Sequence, residues 1–159
     1  MVALLGFSAL ALCPALGQAQ KSAAPSVKTQ PKETKDQLFE KKKQVIGVLE
    51  KQESDWNQGN LDGFLSAYWN SDTLVTVNVR GLSYGKEVLD RTIRKSFPDS
   101  ASMGKLEYDV IHVRFIGESD ALLTGKWLRK NQKKFRGGYF SILLQRINGR
   151  WMIVSEHLG

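Results

Sequence analysis

The 159-residue chain carries 23 lysines and arginines against 16 aspartates and glutamates, a net charge of +7, and 42% of its residues are hydrophobic. One cysteine excludes a disulfide framework and leaves stability to a packed core, while two histidines without a clustered acidic or cysteine motif exclude the common metal sites. The positive charge points to solubility or an anionic surface rather than to nucleic acid, because basic and aromatic residues do not interleave on a recognisable module.

The opening "MVALLGFSALALCPALGQAQ" is an apolar run interrupted by Pro14 and followed by small residues. That pattern predicts a signal peptide over residues 1–19, cleaved after Ala19 or Gly17, and hence a secreted or periplasmic protein. The run is shorter than the roughly 20 residues of a spanning helix, so no transmembrane span is expected. Cys13 follows the bulky Leu12, which argues against lipidation and leaves the cysteine to depart with the leader. Residues 20–37 are polar, contain two prolines and lack an apolar period, the composition of a flexible tether. One domain over 38–159 remains, and about 120 residues suffice to bury on the order of two thirds of the unfolded surface.

Within that domain, Val45, Leu49, Gln52 and Trp56 recur at helical spacing, and Gly59 ends the helix that begins near Leu38. Leu61, Phe64, Leu65 and Tyr68 predict a second short helix after the corner "NQGN". "TLVTVNV" is a strand by its β-branched content, and "RGLSYGK" turns out of it. A third helix is expected from about Glu87 to Phe97, stopped by Pro98. Four strands follow, near Leu106–Ile116, Ala121–Lys130, Gly138–Ile147 and Arg150–Leu158, the last two joined by the hairpin step Asn148-Gly149. Helices first and a meander last is an α+β plan with helices on one face of a curved sheet. Tyr108 and Val110 alternate with Ile111, Val113 and Phe115, so both sheet faces read as apolar and a homodimer through the outer face is expected.

This order, with "WNQGNLDGFLSAYWNSD" early, "YGKEVLDRTIRKSFPD" and "LLTGKWLRK" between, and "GGYFSILLQR" and "GRWMIVSEH" last, resembles the nuclear transport factor 2-like superfamily. More narrowly it resembles the SnoaL-like group known as domain of unknown function 4440. The resemblance covers nearly all of residues 38–158. It implies a cone-shaped, strongly curved antiparallel sheet wrapped on about three N-terminal helices, the cystatin-like arrangement, around a deep pocket. The group's usual Asp-His-Thr-Ser ending is here Glu156-His157-Leu158-Gly159, and Tyr139 stands where relatives often carry histidine. Members serve as isomerases, dehydratases, hydrolases, ligand pockets or oligomerising modules, so the fold by itself decides no function.

A ketosteroid-isomerase-like site needs a carboxylate base in an apolar pocket beside a phenol or protonated acid. Asp55, Asp72, Asp109 and Glu156 are the carboxylates near element ends, Tyr68, Tyr84 and Tyr139 are the phenols, and no pair stands out. Strict alternation places Trp151, Ile153, Ser155 and His157 on one face of the last strand, which makes His157 the best catalytic candidate, while His112 reads as a dimer or surface residue. The ligand-binding set expected from facing is Trp56, Tyr68, Trp127, Arg129 and His157, with Gly125 opening the backbone to a ligand. No cofactor or metal is implied. The first functional expectation is an exported dimeric binding or association domain for a small hydrophobic or anionic ligand. The alternative is an isomerase, dehydratase or hydrolase acting on a hydrophobic carbonyl compound, and a third reading has the tether deliver the dimer to an anionic envelope surface. An acid or base projecting into a dry pocket beside a donor favours the enzyme, whereas a pocket filled by its own aromatics favours the module.

Overall fold

In a computed structural model of the protein, residues 33–131 and 134–159 are described; the leader with Cys13, and the tether as far as residue 32, lie outside them. Thr34 and Gln37 form a capping box, each side chain bonded to the other's backbone N–H. Helix α1 (Lys35–Asn57) therefore starts three residues before the expected Leu38. Its inward stripe is Lys41, Val45, Leu49, Gln52 and Trp56. The lysine is tolerated there because its ammonium reaches Glu33 at 3.0 Å and lies 4.8 Å from the centre of the Phe115 ring. Gly59, at φ +75°, turns the chain into α2 (Leu61–Leu65), which Asn60 caps. The helix does not continue to Tyr68 as the periodicity suggests. The chain there pairs instead with the last strand, Trp69 N donating to Ile153 O and Ile153 N to Ala67 O, both at 2.9 Å.

Strand β1 (Val75–Asn78) is shorter than its β-branched run, and β2 (Gly81–Tyr84) occupies what reads as a turn, pairing antiparallel with β1. Helices α3 (Lys86–Ser96) and α4 (Ser100–Met103) follow, the latter a single turn set by a capping box between Asp99 and Ser102. Strands β3 (Lys105–Ile116), β4 (Asp120–Lys130), β5 (Phe135–Ile147) and β6 (Arg150–Leu158) form the meander. Asn148 and Gly149 both take positive φ, as the two-residue hairpin requires. The six strands lie in the order β2-β1-β6-β5-β4-β3 in a curled sheet that is not closed. It is mixed rather than antiparallel throughout, because β1 runs parallel to β6.

Two irregularities decide which side chains face inward. The register shifts between Val110 and His112 on β3, so Tyr108 and Val110 before the shift, and Val113 and Phe115 after it, all pack against the core. Ile111, the extra residue, is turned out and 60% exposed. The alternation that reads as two apolar faces is thus one apolar face broken by an extra residue. On β6, Leu144 pairs with Ile153 but its neighbour Leu143 pairs with Ser155, leaving Val154 as the extra residue. The core fills the concave side, where Ala121, Leu123, Ile142, Leu144 and Ile153 meet Val45, Leu49 and Leu65 from the helices. Gly125 makes room within the protein: a Cβ there would strike the Phe140 ring and Asp109 O. The outer strand β3 is tied to α1, since Asn57 exchanges two 2.8 Å bonds with the Leu106 backbone and Glu53 accepts from Tyr108 N at 2.8 Å.

Candidate functional site

The extra residue at Val154 turns the end of β6 over. Trp151 and Ile153 are buried, but beyond the bulge Glu156 and Leu158 face the concave side while His157 is exposed on the convex one. The cross-strand rows agree. Val113, Leu123, Ile142, Glu156 and Thr76 form one inward row, and His112, Thr124, Ser141, His157 and Val77 form an outward one. The expectation that His157 shares a face with Trp151 and Ile153 is therefore corrected: uninterrupted alternation fails where one residue is added.

Glu156 is 5% exposed and lines a cavity of about 250 Å³. Tyr68, itself 3% exposed, donates its hydroxyl to both carboxylate oxygens, at 3.1 and 3.0 Å. Burial pushes the Glu156 carboxyl up from its ordinary 4.5 to about 7, opposed by the Tyr68 hydrogen bond, which favours the charged form. Burial, and then the neighbouring Glu156 charge, raise the Tyr68 phenol well above 10, so it stays a donor. Tyr108 lines the same cavity, and burial followed by the charges of Glu156 and Glu53 raises its phenol likewise. Among the described residues its hydroxyl has no hydrogen-bond partner. One carboxyl that exchanges protons near neutrality and two neutral phenols thus meet in a mostly apolar chamber.

Of the residues expected to bind ligand, Trp56, Tyr68, Trp127 and Arg129 line this cavity together and His157 does not. Trp56 donates Nε1 to Met103 O at 3.2 Å and packs edge-on against Phe64 and Phe97. Trp127 donates to Gly159 O at 3.2 Å and also borders a wider, open groove of about 770 Å³ that runs out past Lys126, Phe135 and Tyr139. Arg129 is half-buried, its guanidinium 4.5 Å from the centre of the Phe97 ring.

The other titratable candidates are placed elsewhere. Asp55 is buried but held by Lys51 at 2.7 Å and Asn60 at 3.0 Å, a structural knot. Asp72, Asp109, Tyr84 and Tyr139 are exposed. The pairing of Glu156 with Tyr68 escapes the sequence because the two are 88 residues apart and the glutamate's facing depends on the bulge. Its one visible trace is that Glu156 is the single carboxylate of the last strand.

No protein-family model matches the chain, and no curated protein sequence matches it either. Solved structures do. A nuclear transport factor 2-like protein of unknown function from Shewanella oneidensis MR-1 is 26% identical, with a TM-score of 0.71, over 74% of this chain and 97% of that one. A protein with a cystatin-like fold from Nostoc punctiforme is 18% identical, with a TM-score of 0.60, over 73% and 74%. A scytalone dehydratase-like protein from Novosphingobium aromaticivorans is 10% identical, with a TM-score of 0.63, over 79% and 87%.

Proposed function

We propose that this chain, a nuclear transport factor 2-like domain, is an enzyme that moves a proton on a small apolar carbonyl compound, as an isomerase or dehydratase does. The observation that carries the reading is the Glu156 carboxyl, buried at a cavity wall under the Tyr68 hydroxyl. At neutral pH a group titrating near 7 is divided between acid and base, so it can take a proton from carbon and return it elsewhere. Tyr68 holds the carboxylate in place. Tyr108, whose hydroxyl is uncommitted among the described residues, is the donor for the oxyanion that forms on the carbonyl. The cavity stays open rather than filled by its own aromatics, which favours this reading over a pure association module. The scytalone dehydratase-like neighbour shares the fold alone. Deuterium wash-in beside the carbonyl of 2-tetralone, an apolar ketone, provides the test when followed by proton NMR: wild type should exceed buffer and Glu156→Gln should not. A wild-type rate no faster than buffer leaves only a binding domain.

Export and self-association complete the proposal. The apolar leader and the polar stretch after it support export to the periplasm or beyond the cell, and N-terminal sequencing of the native protein should begin at Gln18 or Gln20. An intact leader on cytosolic protein would end that part of the reading. Across the convex face, Arg114, Leu122, Leu143, Ser155 and Val75 form one cross-strand row whose apolar members are only half-buried. That row supports a homodimer with a self-complementary contact, in which one substitution acts twice. Light scattering at micromolar concentration should return twice the chain mass, and Leu143→Asp should return the monomer. A monomeric wild type would reject the dimer.

A further inference from the structure

Three arginines converge where the cavity opens. Arg129 and Arg136 stand directly opposite each other on β4 and β5, and Arg80 arrives from the turn between β1 and β2. All three line the cavity. Like charges set opposite on neighbouring strands repel. Burial first, and then the charges of Arg136 and Arg80, lower the pKa of Arg129. Among the described residues none of the ion pairs includes any of the three.

What holds them is neutral. Arg129 donates to Ser102 O and Met103 O, both at 3.4 Å, and stacks on Phe97, while Arg80 donates to Ser96 Oγ at 3.4 Å. Those contacts fix two guanidinium groups in place without neutralising them. Charge spread for solubility has no need of a half-buried arginine facing a second one, and an anion seated between them removes the repulsion. The cavity behind them is small, just under the roughly 300–1,000 Å³ that takes drug-sized ligands, and its walls include Trp56, Phe97 and Leu106.

We infer that the pocket takes an organic carboxylate, its anionic group held by Arg80, Arg129 and Arg136 and its apolar body reaching inward toward Glu156. This rests on the Glu156 reading for the identity of the inner end and adds the substrate class, an apolar oxo acid. The carboxylate accepts from the guanidinium forks; the carbonyl lies at the phenols.

Calorimetric titration with 4-oxo-4-phenylbutanoate and with its methyl ester isolates the anionic group, since the two share one aryl ketone body. The acid should bind wild type at least about tenfold more tightly than the ester, the scale of a charged hydrogen bond, and added salt should narrow the gap. An Arg80→Gln/Arg136→Gln double variant should lose the preference while keeping its affinity for the ester. Glu156→Gln should retain the preference whether or not wild type catalyses wash-in, so recognition and proton transfer fail separately. Equal binding of acid and ester, undetectable binding of the acid, or an unchanged preference in the double variant overturns the inference.

Discussion

Glu156→Gln should slow proton transfer by about 10²–10⁴-fold, the usual contribution of a positioned acid or base, and should also flatten the dependence of folding stability on pH. In the unfolded chain the carboxyl titrates at its ordinary 4.5, and in the folded protein at about 7. Between those values the folded state keeps a proton that the unfolded state has released, so stability falls as pH rises. The contribution is fully present below pH 4.5 and is lost as pH passes about 7; the interval corresponds to roughly 3 kcal/mol. Glutamine has nothing to release. Urea melts from acid to mildly alkaline pH should therefore show wild type losing roughly that much more than the variant. Parallel curves for the two proteins would mean that Glu156 titrates as a solvated carboxylate. Because Tyr68 donates to both oxygens, Tyr68→Phe should raise the folded carboxyl further, so that the loss still begins near 4.5 but runs on to a higher pH and is larger.

Trp56→Ala should cost roughly 3–5 kcal/mol of folding stability, the range for removing a large aromatic from a core. Trp56 is 3% exposed and reaches from α1 to α2, to the end of α3 and to the turn before β3. Its ring lies 4.8 Å from those of both Phe64 in α2 and Phe97 beside α3, edge-on in each case. Its Nε1 satisfies Met103 O just before β3, so truncation also leaves a buried carbonyl with one donor fewer. Denaturant midpoints measure the loss. Trp56→Phe keeps most of the apolar area and gives up the hydrogen bond, so it should fall between wild type and alanine. A loss below about 1 kcal/mol for alanine would show that the helices close on the sheet without this contact.

Much of the architecture is legible because period and turn chemistry act locally. Val45, Leu49, Gln52 and Trp56 announce α1, and Asn148-Gly149 fixes the hairpin from β5 to β6 without reference to anything distant. The capping box at Thr34 and Gln37 is equally local and extends α1 beyond the apolar stripe that first marks it. β2 and α4 are different: each has four residues, too few for a period to develop, and β2 exists because β1 offers it an edge. The site divides in the same way. Trp56, Tyr68, Trp127 and Arg129 face the cavity as their spacing indicates. Glu156 and His157 exchange faces because a bulge is decided by pairing with β5, a long-range event that alternation along β6 cannot register. Arg80 and Arg136 escape notice for a related reason, since neither sits on an apolar period and only the sheet brings them to Arg129.

The extra residue at Val154 has a consequence for how this pocket can change over time. Losing the bulge in the middle of β6 while every residue stays in the sequence, so that Val154 pairs in its turn, exchanges a carboxyl for an imidazole at the cavity wall. Two chains could then carry the same terminal letters and hold different acids, or carry different letters and hold the same one. For this sheet the inherited unit is the register in which the acid pairs with β5 as much as the acid itself. A gap at Val154 in an alignment of the last strand therefore keeps the same acid at the wall, whereas an equal length paired without the bulge does not.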